Sequence, residues 1–255
     1  MEQQLNALIT YLLGEQEQYQ SIEIPDGFEE KWKLYRALVN VREPKPISEE
    51  YLKAEDAFLT AFNAKRGVTS LTELTCCEPG IYLWQGDITT LAADGIVNAA
   101  NSALLGCFSP GHSCIDNAIH SFSGVRLRLK CAEIMNLQGT PEPTGKAKIT
   151  PAYNLPSRFV LHTVGPIVHG MLNDRHKALL SACYRSCLEL ADKNGLKSLA
   201  FCCISTGVFG FPAKPAAKIA VETVRQYKAE TLSEIEVIFN VFSDTDKRIY
   251  EEILG

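Results

Sequence analysis

Cys107, His112 and Cys114 crowd into one short segment, Gly106-Cys107-Phe108-Ser109-Pro110-Gly111-His112-Ser113-Cys114-Ile115-Asp116. Two thiolates and an imidazole form a donor set suited to Zn²⁺, and Pro110-Gly111 supplies a turn that can fold Cys107 back onto the other two. Three protein ligands leave a fourth position open, which is the pattern of a catalytic zinc. A fourth ligand from Cys131 or His120 would close the site into a structural one. The remaining thiols have a plainer reading. Cys76, Cys77, Cys183, Cys187, Cys202 and Cys203 lie in or beside apolar segments, as buried structural cysteines do.

Asp116 follows the cysteine segment at the start of a predicted helix and shares one helical face with His120, four residues on. By position alone it reads as a first-turn acid complementing the helix dipole. Four further polar segments each follow a short apolar run: Gly86-Asp87-Ile88-Thr89, Val97-Asn98-Ala99-Ala100-Asn101, Thr163-Val164-Gly165-Pro166 and Ile204-Ser205-Thr206-Gly207-Val208-Phe209-Gly210-Phe211-Pro212. The last can turn backbone N–H groups towards an anion at low steric cost, although such turns also simply join strand to helix. No Gly-Lys-Ser/Thr triplet occurs, so a nucleoside-triphosphate P-loop is not indicated.

The elements that must position these residues begin near residue 71. Residues 81–84, 95–97, 159–161, 198–201 and 235–239 read as short, largely buried strands. Helical stretches are expected over about 114–130, 175–194, 213–229 and 244–254. Strands alternating with helices predict an α/β domain with its sheet covered on both faces and its ligand at the carboxyl ends of the strands. Residues 1–70 contain no cysteine and no histidine and read as a helical extension. Leu5, Leu8, Ile9, Leu12 and Leu13 form one stripe; Phe28, Trp32, Tyr35, Leu38 and Val39 form a second behind the Pro25-Asp26-Gly27 turn. A third helix opens at Ser48, where a capping serine precedes Glu49 and Glu50. The expected division is therefore 1–70 and 71–255, with the aromatic stripes packing on one another and on the larger part.

In their order, the strand-end segments together with Pro143-Thr144-Gly145-Lys146-Ala147, Asn154-Leu155-Pro156 and His162-Thr163-Val164-Gly165-Pro166 closely resemble the macrodomain family, which binds ADP-ribose. The resemblance covers about residues 75–255 and implies a three-layer α/β/α sandwich behind the N-terminal helices. It implies that Asp87 and Ile88 hold the adenine end, with Phe242 as a stacking partner. It further implies that Ser205, Thr206, Gly207, Val208 and Phe209 form the diphosphate loop, and that Asn101 faces the distal ribose with Asp116 as a catalytic or ribose-orienting acid. Many macrodomains carry a run of glycines where this chain has Cys107 to Cys114. That departure resembles the zinc-containing branch, whose members remove ADP-ribose from proteins.

Composition narrows the partners. With 25 Lys+Arg against 30 Asp+Glu the net charge is −5, without the basic surplus that a non-specific nucleic-acid binder uses to displace counterions. No apolar run approaches the length that spans a bilayer, and the acidic N-terminal residues do not form a basic leader. Nine cysteines, an odd number, then point to a reducing cytoplasmic setting. The expected function is a zinc-dependent hydrolase acting on mono-ADP-ribosylated protein. The metal would polarise the ribose or lower the pKa of a bound water to about 7. Attack at the anomeric carbon would expel a protein carboxylate, which favours modified acidic side chains. The alternatives are a non-catalytic reader of ADP-ribose and a deacetylase of acetylated ADP-ribose.

Overall fold

The computed structural model describes residues 1–255. Strands β1 (Thr75–Glu78), β2 (Ile81–Gln85), β3 (Gly95–Ala100), β4 (Ala147–Pro151), β5 (Phe159–Val164), β6 (Ser198–Phe201) and β7 (Glu236–Val241) form one sheet in the order β1-β2-β7-β6-β3-β5-β4. The five central strands run parallel, and β1 and β4 close the two edges in antiparallel pairing. Strands β3, β5, β6 and β7 are buried almost throughout, as a sheet covered on both faces requires. Helices α4 (Ile115–Ser123), α5 (Val125–Gln138), α6 (Asp174–Lys193), α7 (Ala213–Thr231) and α8 (Asp244–Leu254) complete the α/β/α sandwich around a single apolar core.

The N-terminal part forms α1 (Glu2–Gly14), α2 (Phe28–Val41) and α3 (Glu49–Arg66). Ser48 caps α3 as its sequence predicts, its hydroxyl accepting the Tyr51 N–H at 3.1 Å. The three helices bury a second apolar cluster that includes Tyr35, Phe58 and the first residue of α5, Val125. Full burial of each such side chain contributes about 1.5–3 kcal/mol. Trp32 stacks on Phe122 of α4 with ring centroids 5.2 Å apart, joining the two clusters. No helix is long and apolar enough to cross a membrane.

The expected helix over 114–130 is in fact two. Gly124 breaks it at φ +93°, where a Cβ would lie 2.6 Å from Glu55 Oε2. That carboxylate accepts the Val125 N–H at 2.9 Å and takes the role that a preceding helical turn would have filled. The edge strands β1 and β4 escape the sequence reading because neither carries a run of apolar residues. Cys76 is a further correction: on edge strand β1 it is exposed, whereas Cys183, Cys187 and Cys202 are buried as expected and Cys77 and Cys203 are partly so.

Candidate functional site

The parallel strands β2, β7, β6 and β3 stand side by side, so their carboxyl ends present four segments in a row. Asp87 and Ile88 follow β2, Phe242 follows β7, the Ser205–Phe209 loop follows β6, and Asn101 follows β3. Three strand spacings of about 4.8 Å put roughly 14–15 Å between the first and last of these.

At the β2 end, Asp87 caps a short 3₁₀ turn. Its Oδ1 accepts the Thr89 N–H at 2.9 Å and the Thr89 hydroxyl at 2.6 Å, and its Oδ2 accepts from Arg66 of α3. The Arg66 guanidinium lies 3.5 Å from the Phe122 ring centroid, which fixes its plane. Asp87 is thus both the turn acid and a candidate ligand contact, with its carboxylate oriented from the N-terminal helices. Ile88 is buried in the core. Phe242 is 80% exposed and free to stack.

The β6 loop is built on backbone. The N–H groups of Ser205, Gly207, Val208 and Phe209 donate to no protein acceptor, while Thr206, Gly210 and Phe211 close the turn around them through bonds to Cys203, Gly207 and Ser205. Ser205 sits at φ +67°, a left-handed conformation that costs a non-glycine residue about 1–2 kcal/mol. Its buried Oγ has no hydrogen-bond partner. Gly165 makes room for it, since a Cβ there would overlap Ser205 Oγ. A strained residue and a row of free donors make a nest for an anion.

The β3 end is built on side chains. Asn101 donates Nδ2 to the Gly106 carbonyl at 3.0 Å and lies 3.5 Å from Asp116 Oδ2, while its Oδ1 accepts the Ala103 N–H at 3.0 Å. Asp116 is 5% exposed and accepts from Asn98 Nδ2 at 2.8 Å. Burial pushes its carboxyl up to about 6, against the pull of the Asn98 hydrogen bond and the Arg128 charge. Asp116 and Asn101 therefore meet next to the cysteine segment.

Cys107, His112 and Cys114 bring their ligand atoms within 4.8 Å of one another. His112 Nδ1 is buried without a hydrogen-bond partner. Burial and the neighbouring Cys107 push the Cys114 thiol up to about 11, so a dication is what would hold this sulfur as a thiolate. These residues fit zinc. The expected fourth ligands do not join them: His120 and Cys131 group instead with His162. His162 is engaged on both ring nitrogens, by Asn98 at 3.2 Å and Thr150 at 3.0 Å, and burial depresses its pKa to about 4. His120 lies 3.5 Å from Asp116 Oδ1.

Sequence reasoning missed a group of residues that touch this site: Arg36, Asn40 and Arg66 from the N-terminal helices, and Asn98, Asn117 and Arg128 beside it. Asn98 stood in a quoted strand-end segment without a role, and Asn117 directly follows Asp116. The others carry no local signal.

A family model described as Macro domain matches residues 97–220. The chain is 52% identical over 252 residues to a protein-ADP-ribose hydrolase of Treponema medium, covering 97% of each. It is 50% identical to a protein-ADP-ribose hydrolase of Staphylococcus aureus strain MSSA476, covering 97% of this chain and 94% of that one. Among solved structures, a Trypanosoma brucei macrodomain in complex with ADP-ribose matches with a TM-score of 0.67 at 32% identity, over 86% of this chain and 95% of that one. An Oceanobacillus iheyensis macrodomain with ADP matches with a TM-score of 0.62 at 42% identity, over 68% of this chain and 89% of that one.

Proposed function

The chain belongs to the Macro domain family, and on that premise we propose that it is a zinc-dependent protein-ADP-ribose hydrolase acting on mono-ADP-ribosylated acidic side chains in the reducing cytoplasm. The hydrolase activity rests on the full-length likeness to protein-ADP-ribose hydrolases. The zinc dependence rests on one observation, the convergence of Cys107, His112 and Cys114 beside Asn101 and Asp116.

The row of strand ends suits ADP-ribose in one direction. Its adenine end would lie against Asp87, Ile88 and Phe242, and its diphosphate would take the free N–H groups of Ser205, Gly207, Val208 and Phe209 across the loop that Thr206 helps close. The distal ribose then falls at Asn101 and Asp116. A carboxylate is an acceptor only, which suits Asp87 to the exocyclic amine of adenine, and Arg66 keeps it oriented.

Hydrolysis adds water at the anomeric carbon of the distal ribose and breaks its bond to the protein carboxylate oxygen, releasing ADP-ribose and the free side chain. Asn101, with both ends of its amide engaged, holds the ribose end of the cleft in one geometry. Burial makes the Asp116 carboxylate more basic than an ordinary one, which suits it to accept a proton from the attacking water. Cys107, His112 and Cys114 would hold zinc, which would supply a Lewis acid at this end of the cleft. A carboxylate needs no protonation to leave, which favours ester-linked ADP-ribose.

The test is release of ADP-ribose from proteins modified at Asp or Glu, compared with proteins modified at Arg or Ser and with free acetylated ADP-ribose. Fastest turnover on the carboxylate-linked protein is expected. Tight binding without release would make the protein a reader, and turnover confined to the acetylated ligand would make it a deacetylase.

A further inference from the structure

The segment from Cys107 to Cys114 makes only one backbone hydrogen bond within itself, His112 N–H to the Ser109 carbonyl at 3.2 Å. Its shape is set from outside, chiefly by α2. Asn40, 1% exposed near the end of α2, accepts the Gly111 N–H at 3.0 Å through Oδ1. The same oxygen accepts from Asn117 Nδ2 at 2.8 Å, and Asn40 Nδ2 donates to Ser121 Oγ at 3.0 Å. Asn117 in turn donates to the Ser109 carbonyl at 3.0 Å. Arg36, one turn earlier on α2, donates to Asn117 Oδ1 at 2.6 Å and to the His112 carbonyl at 3.4 Å.

The end of α2 is itself tied down. Arg128 of α5 donates Nη1 to the carbonyls of Val39, Asn40 and Arg42, and its guanidinium lies 4.3 Å from the centroid of Phe108, inside the cysteine segment. Gly111 stands at φ +62°, and its N–H is the one donor at the turn that Asn40 captures. Moving Asn40 therefore moves Gly111, and with it the residue that follows, His112.

We propose that Asn40 is a positioning residue for the metal centre: by holding Gly111 and Asn117 together it sets His112 against Cys107 and Cys114. The helical extension then works at the reacting end of the cleft, although it contributes no metal ligand. This inference rests on the zinc reading above. Partners that orient metal ligands typically contribute about 10–100-fold in metal affinity.

The experiment measures zinc affinity of the full-length protein by competition with a chromophoric chelator, for the unaltered chain, Asn40→Ala, Asn40→Asp and Arg36→Met. Amide exchange at Gly111, melting temperature, ADP-ribose affinity and the kinetic constants for release are read on the same samples. Asn40→Ala is expected to weaken zinc binding about 10–100-fold, to expose the Gly111 amide to exchange and to lower kcat. ADP-ribose affinity and KM should stay within about twofold, because the anchoring segments follow other strands. Asn40→Asp keeps the oxygen that accepts from Gly111 and should recover most of the zinc affinity. Arg36→Met removes only the longer contact to His112 and the bond to Asn117, and should fall between the two. If Asn40→Ala does not fold, Arg36→Met against the unaltered chain decides the matter by the same readouts. Unchanged zinc affinity in variants that have lost only thermal stability would overturn the positioning role while leaving the zinc reading intact. An unaltered chain that binds no zinc would overturn the zinc reading and this inference with it.

Discussion

At the β6 end of the cleft, Ser205, Gly207, Val208 and Phe209 offer backbone N–H groups and little else, with Val208 80% exposed. At the β3 end Asn98 and Asp116 are bonded side chain to side chain, Asn101 ties its amide to Gly106 and Ala103, and Asn40 reaches in from α2 to hold Gly111 and Asn117. The two ends do different physical work. A diphosphate is bound equally well by any chain that keeps the turn, since the donors belong to the backbone and the anion brings the charge. A reacting end must fix a carboxylate, an amide and three metal ligands against one another, and only packed, mutually bonded side chains achieve that. Sensitivity to substitution should divide along the same line: steric and charge changes act at the first end, and loss of a single hydrogen-bond partner acts at the second.

The largest effect should come from putting a charge into the backbone nest. A Cβ at Gly207 meets nothing within 4 Å and its φ is ordinary, so Gly207→Glu should fold with an unchanged melting temperature. Its carboxylate would compete for the diphosphate donors, and affinity for ADP-ribose, read by calorimetry, should fall by about 100-fold or more. Retained affinity would remove the 205–209 loop from the binding site.

Cys114→Ser should break the other end. Serine is a good helix cap, so the bond from Asn117 N–H that starts α4 should survive the change. Zinc should be lost and release slowed by about 100-fold, with ADP-ribose affinity changed less than about threefold. Loss of stability, binding and activity together would mark the metal as structural instead.

Asn101→Ala should act in the same sense and more weakly. It deletes the bonds to Gly106 and Ala103, and turnover should drop about 10-fold while ADP-ribose affinity holds. Equal losses in both would dissolve the division into an anchoring and a reacting end.

The smallest effect on activity, though a measurable one on stability, concerns the contact of α3 with the start of α5. Glu55 of α3 is buried, accepts from Tyr35, Tyr51 and the Val125 N–H, and is pushed up to about 7 by burial. Below the ordinary carboxylate pKa both folded and unfolded chains carry the proton. Between about pH 4.5 and 7 only the folded chain does, so stability falls as pH rises through that window and levels off above it. The loss is on the order of 3 kcal/mol. Melting temperature followed across the window should fall for the unaltered chain and be flatter for Glu55→Gln. Equal slopes would show that Glu55 titrates normally.

The two ends also differed in how well the sequence announced them. The strand-end segments and the Cys107-His112-Cys114 spacing are local, and local patterns of turn residues and ligand types can be read directly. Asp87, Ser205–Phe209 and Asn101 follow the ends of neighbouring parallel strands, and Asp116 comes to Asn101 from the first turn of α4. The hydrogen bonds by which α2 holds the Cys107 to Cys114 segment are not local. Arg36 reaches His112 across 76 residues, and Asn40 reaches Gly111 across 71, from a helix whose sequence shows only an amphipathic stripe. Both residues stand on that helix as ordinary polar positions, and nothing in their spacing distinguishes a solvated side chain from a buried one. Gly124 is similar: its helix break makes sense only once Glu55, 69 positions earlier in the chain, is seen against it. Cys131 and His120 were candidates for a fourth ligand on residue type alone, and the fold directs them to His162 instead.

The account turns on whether the reacting end works through its metal. The direct measurement is ADP-ribose release from a protein carrying ADP-ribose on an acidic side chain, by samples of the unaltered chain whose zinc content is set by chelation and restored by added zinc. Release should fall in proportion to zinc removed and return with its replacement, while affinity for free ADP-ribose stays nearly constant. Full release by demonstrably zinc-free protein would contradict it.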